Sequence, residues 1–166
     1  AWRDIKVRYK QTILGVLWAI LQPLTMMLIF AVVMGRMGRV PIDPEVPTAV
    51  FYFSGLLLWM YFSQAITSAG NSLVQAQAMV TKIYFPRLAI PYSSVGAPAV
   101  DFLVGSSILI LMMFWYGLVP SVSVLLVPLL LVLTMLASLG VGTILAALNV
   151  SYRDFRYTLP FLVQIW

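Results

Sequence analysis

Apolar and polar stretches alternate along this chain in long blocks. No charged side chain interrupts 12–35, 49–69 or 122–148, and only Asp101 interrupts 95–117. Each block reaches the roughly twenty residues that a helix needs to cross a bilayer. The pattern therefore predicts four membrane-spanning helices at 12–35, 49–69, 95–117 and 122–148. Arg36 to Pro47, RMGRVPIDPEVP, is rich in glycine and proline and reads as a loop. The brief LVPS turn at 118–121 makes the third and fourth spans antiparallel neighbours. The final block, 159–166, is too short to cross and is expected to be the start of a fifth span, cut within it.

Two polar stretches separate these blocks on one side. In 70–92, Asn71 or Ser72 is placed to cap a short helix running to about Ile83, which Pro86 then ends. The stretch 149–158, NVSYRDFRYT, is polar and basic. At the start of the chain, 1–11 can be drawn as a helix with Trp2, Ile5 and Tyr9 on one face. It can also be drawn as a strand in which Ile5, Val7 and Tyr9 alternate with Lys6, Arg8 and Lys10. A strand beside lipid leaves an unpaired edge, whereas an amphipathic helix satisfies its own backbone and lies in the headgroup plane. An interfacial helix is the expectation.

Composition sharpens this picture. The chain is 62% hydrophobic and 9% charged, whereas soluble domains run near a quarter charged. An all-α membrane protein follows. Its net charge of +5 belongs to flanking cations rather than to nucleic-acid binding. Arg3, Lys6, Arg8, Lys10, Lys82, Arg87, Arg153 and Arg156 share one side; only Arg36 and Arg39 lie on the other, beside Asp43 and Glu45. The positive-inside rule then puts the N-terminus in the cytoplasm.

Candidate chemistry is sparse. With no cysteine and no histidine, disulfides, imidazole catalysis and the usual zinc sets are excluded. No catalytic residue and no metal site is expected. Asp101 is an acid within a span and so a functional candidate by default, but it lies near the cytoplasmic start of its helix and a structural role is favoured. No phosphate-binding glycine loop occurs, so active transport would need a separate ATPase chain. Thr134, Ser138, Gly142 and Ala146 give one face of the fourth span small residues at every fourth position, which permits close helix packing. Pro128, higher in that span, allows a bend. Phe51, Tyr52, Phe53, Trp115 and Tyr116 lie at span ends, where an interfacial belt explains them. Trp59, Tyr61 and Phe62 lie deeper. Together Tyr52, Phe53, Trp59, Tyr61 and Phe62 are the candidates for lining a channel.

Three stretches carry a resemblance: RDIKVRYKQTILGVLWAILQPL at 3–24, TKIYFPRLAIP at 81–91 and LNVSYRDFRYTLPFLVQIW at 148–166. Their order and content resemble bacterial ABC transporter permeases that export polysaccharides, the family of the O-antigen and teichoic-acid exporters. The resemblance covers essentially the whole chain. A local departure is QAQA at 75–78, where many relatives carry asparagine. The resemblance implies a six-span permease of the bacterial inner membrane, of which this chain lacks most of the last two spans. It implies a homodimer docked on separate ATPase subunits that hold ATP and magnesium, with no cofactor in this chain. The substrate so implied is a lipid-linked polysaccharide.

It also implies a coupling helix within 70–92, which gives Lys82, Tyr84, Phe85, Pro86 and Arg87 the role of an aromatic anchor flanked by cations on the ATPase. Arg3, Lys6, Arg8, Lys10 and Arg153 are then expected at lipid or substrate headgroups. The alternatives are a related permease for a drug or small lipid, and a membrane scaffold that moves nothing.

Overall fold

A computed structural model describes residues 15–37, 46–77, 88–119, 122–152 and 154–165. Every regular element among them is helical: α1 (Gly15–Met37), α2 (Thr48–Gln75), α3 (Ala89–Ser94), α4 (Gly96–Trp115), α5 (Leu126–Ser151) and α6 (Phe155–Ile165), with a 3-10 turn at Val122–Leu125. Three stretches are long and apolar enough to cross a membrane: Thr48–Gln75, Ala89–Trp115 and Leu126–Ser151. Within α1, Ile20–Phe30 is apolar, and its 23 residues extend about 35 Å at 1.5 Å per residue.

Helix α2 is the centre of the bundle and touches α1, α3, α4, α5 and α6. Its buried residues Phe53, Leu57, Tyr61, Ala65 and Ala69 recur every fourth position. They form one of the ridges along which helices interdigitate. Val95, Phe102 of α4 and Leu139 of α5 complete the core. Elsewhere the surface is oil: Leu111, Phe114, Leu133 and Leu136 are all more than half exposed. Contiguous apolar surface on this scale belongs against lipid or another apolar protein surface. The hydroxyls on these helices are satisfied locally. Thr67, Ser106 and Ser138 each donate to the carbonyl four residues back, at 2.7–2.8 Å, which is how a polar side chain survives in hydrocarbon.

Several boundaries differ from those read off the sequence, each for a local reason. No new helix begins at Asn71 or Ser72, because α2 runs on to Gln75. The Asn71 amide donates back to the Thr67 carbonyl at 3.1 Å and the Ser72 hydroxyl to the Ala69 carbonyl at 2.6 Å. Both side chains are thereby used within the helix rather than as caps. The third span predicted from the sequence starts at Ala89 instead of Val95. It breaks into α3 and α4 because Pro98 has no N–H to give the Ser94 carbonyl. Pro128 lies in the first turn of α5, after the 3-10 turn, where a missing N–H costs nothing, so it marks a helix start and not a bend. Helix α6 begins at Phe155, ahead of the expected 159. The interfacial segment 1–11 and the expected end of the short helix near Ile83 lie outside the described residues.

At the other end of α4, Gly117 has φ +70°. The Leu118 N–H reaches the Met113 carbonyl at 2.9 Å and the Gly117 N–H the Phe114 carbonyl at 3.1 Å. This paired closure needs a left-handed residue, which glycine supplies without a Cβ clash. Gly117→Ala is expected to cost about 1–2 kcal/mol, read as a lower melting temperature of the purified protein in detergent with no change of topology.

Candidate functional site

The two stems of the 70–92 segment are the end of α2 and the start of α3. Between them, Lys82, Tyr84, Phe85, Pro86 and Arg87 lie outside the described residues, as do Arg3, Lys6, Arg8, Lys10 and Arg153. The described part of this end is nonetheless informative. Asn149, at the base of α5, is 3% exposed. Its Nδ2 donates to the Gly70 carbonyl at 3.0 Å and to Asn71 Oδ1 at 2.9 Å. A carbonyl can only accept, so the amide nitrogen must face α2. Asn149 Oδ1 is left buried without a hydrogen-bond partner among the described residues.

Packing around this polar contact is tight. A Cβ on Gly70 would come 2.6 Å from Leu159 Cδ1 and 3.4 Å from Leu145 Cβ, and Leu159 is fully buried. A Cβ on Gly142 would come 2.5 Å from that of Ala69. The small-residue face of the fourth span thus meets α2 of the same chain. Ser138, Gly142 and Ala146 are buried there, with Ala65 and Ala69 opposite. Lipid is as apolar as leucine, so burial alone drives little association; close backbone approach and interhelical hydrogen bonds must supply it. Asn149 continues the same face three residues after Ala146. The spacing was in the sequence, but the residue reads there as the start of a polar segment.

The five candidate channel aromatics fall into two groups. Phe53 and Tyr61 are buried in the core of the chain, and Tyr61 meets the Phe102 ring edge-on at 5.7 Å. The Tyr61 hydroxyl is buried without a partner among the described residues. Tyr52, Trp59 and Phe62 share a different side of α2 with Gly55, at helical spacing. The space where Gly55 would carry a Cβ is open to at least 4 Å, and Trp59 beside it is 37% exposed. Trp59 and Phe62 lie tilted at 6.1 Å, while Tyr52 stands edge-on to Phe51 at 5.6 Å and tilted to Phe30 of α1 at 6.5 Å. Asp101 is half-buried on α4. Because the apolar stretch starts at Ala89, Asp101 falls near its middle rather than near its start. Among the described residues, no group of acidic side chains could hold a metal ion.

Comparison with known proteins gives the family. The family described as ABC-2 type transporter matches residues 1–166. The chain is 30% identical over 164 residues to an O-antigen export system permease protein, RfbA, of Myxococcus xanthus, covering 99% of this chain and 62% of that protein. It is 32% identical over 155 residues to an O-antigen export system permease protein RfbA of Klebsiella pneumoniae, covering 93% of this chain and 59% of the relative. The chain therefore spans less than two thirds of each relative's length. Matched from end to end and built of several membrane-length apolar helices, it is a multi-pass membrane protein that belongs to the ABC-2 type transporter membrane family.

Proposed function

We propose that the chain is a part of the membrane-spanning permease subunit of an ATP-driven exporter, moving a lipid-linked polysaccharide across the bacterial inner membrane. The observation that carries this reading is identity of 30–32% along almost the whole chain to proteins named for O-antigen export. In this reading two copies form the conduit. Each is moved by a separate ATPase subunit, which binds ATP and magnesium and grips Lys82, Tyr84, Phe85, Pro86 and Arg87 between the stems of α2 and α3. The N-terminus is cytoplasmic, and Arg3, Lys6, Arg8, Lys10 and Arg153 attract anionic headgroups.

The open side of α2 suits the substrate. Sugar rings slide on flat aromatic faces that offer contact without deep pockets, and Tyr52, Trp59 and Phe62 present such faces around the gap at Gly55. Phe53 and Tyr61, packed in the core, serve the fold in this reading. Deletion of the gene, followed by gel analysis of surface polysaccharide and of its cytoplasmic precursor, tests the substrate. The expected result is loss of surface glycan with accumulation of precursor. Normal surface glycan, with sensitivity to a drug instead, would contradict it.

A further inference from the structure

We propose that Asn149 is a positioning residue for coupling: it fastens the α2 stem of the cytoplasmic segment to α5 and α6, so that movement of that stem is delivered to three helices as one body. The inference rests on the exporter reading, because export is its readout.

Three observations converge on one spot. Asn149 spends both amide hydrogens on α2, on the Gly70 carbonyl and Asn71 Oδ1. Asn71 is anchored in turn to the Thr67 carbonyl one turn deeper. Leu159 of α6 is fully buried and seated over Gly70. Beside it, about two turns from Asn149 along α5, Gly142 lies against Ala69 with no room for a methyl group. The last turns of α2 cannot rotate or slide against α5 without losing two hydrogen bonds that lipid cannot replace. The other stem differs: α3 is six residues long and is separated from α4 at Val95 by the Pro98 break. Although α3 also packs on α2 and α5, the hydrogen-bonded route from the cytoplasmic segment to α5 and α6 runs through α2, and Asn149 is the polar link in that path. Its removal lets the stem move without its load.

These 166 residues hold no cysteine, so a full-length permease and ATPase cleared of any cysteine elsewhere allow a direct test. A Cβ built on Gly70 lies 3.4 Å from Leu145 Cβ, close to the separation of about 3.8 Å found in disulfides. Gly70→Cys with Leu145→Cys can therefore lock α2 to α5, provided that Leu159 Cδ1, the flexible end of its side chain, turns away from the new Cβ. The expected result for Asn149→Leu is a fall in export of the host's surface polysaccharide of about tenfold, the size set by losing two hydrogen bonds across one contact. ATP hydrolysis by the membrane-bound complex persists. Adding the cysteine pair to Asn149→Leu and oxidising it restores export, and reductant abolishes the rescue. A role in folding alone would lower membrane protein and hydrolysis together and would not respond to reductant.

The inference is overturned if Asn149→Leu exports normally, or if the oxidised triple variant stays at the low level. It is also overturned if the cysteine pair alone exports when reduced and is blocked when oxidised, since the two helices would then have to separate. A parent chain that supports no ATP-dependent export overturns the exporter reading instead, which keeps the two failures apart.

Discussion

Gly142→Leu is expected to break the bundle, and Gly142→Ala to weaken it measurably. The methyl group of alanine at 142 would lie 2.5 Å from Ala69 Cβ, with the Ala69 Cα and the Ile66 carbonyl oxygen just behind at 3.8 and 3.9 Å. None of these atoms is the end of a flexible side chain, so relief requires α2 and α5 to move apart. Overpacking of this kind costs about 1–3 kcal/mol. It also stretches the Asn149 bonds at the base of the same contact, so the two effects couple. Thermal unfolding of the purified protein in detergent should show a lower midpoint for Gly142→Ala and little folded material for Gly142→Leu. The discriminating variant is Ala69→Gly in the Gly142→Ala background. It removes the opposing methyl group and should recover most of the loss. At Gly105 the same substitution meets only the flexible end of Leu57, and a smaller effect is expected.

The second large effect concerns the segment between the stems. In the proposed coupling role, Tyr84→Ala with Phe85→Ala removes the aromatic anchor that the ATPase holds. Truncating a central aromatic at an interface costs at least about 2 kcal/mol, near thirtyfold in affinity for each. Co-purification of the ATPase should be lost and export with it, while the permease remains in the membrane in normal amount. Retained co-purification would move the docking surface to another part of the chain.

Hydropathy blocks were enough to mark three helices of membrane length, with a shorter apolar helix, Ile20–Phe30, in the first block, because a stretch that must satisfy its whole backbone inside lipid has to be helical. Their ends were less legible. Asn71, Ser72 and Pro91 look like punctuation in a soluble context. Here Asn71 and Ser72 bond back to carbonyls of their own helix, and Pro91 lies in the first turn of α3. The small-residue face at Ser138, Gly142 and Ala146 could be read as a packing face. Its partner could not, since nothing in one helix names the other. Sorting the aromatics of α2 was beyond the sequence for a related reason. A helix apolar all round has no moment to tell its buried side from its open one. Phe53 and Tyr61 therefore look like Trp59 until neighbours cover them. Asn149 escaped notice because a lone asparagine at the end of a span resembles the beginning of a loop. Its position three residues after Ala146 was the available signal.

The account depends on a membrane conduit without its own motor, driven from the cytoplasmic segment between α2 and α3. Its most direct test is purification of the full-length protein from native membranes, with ATP hydrolysis measured before and after cleavage within 78–87. The account predicts a nucleotide-hydrolysing subunit that co-purifies and is released by the cut. A preparation with no such subunit, or one whose cleavage site is reached only from outside the cell, would contradict it.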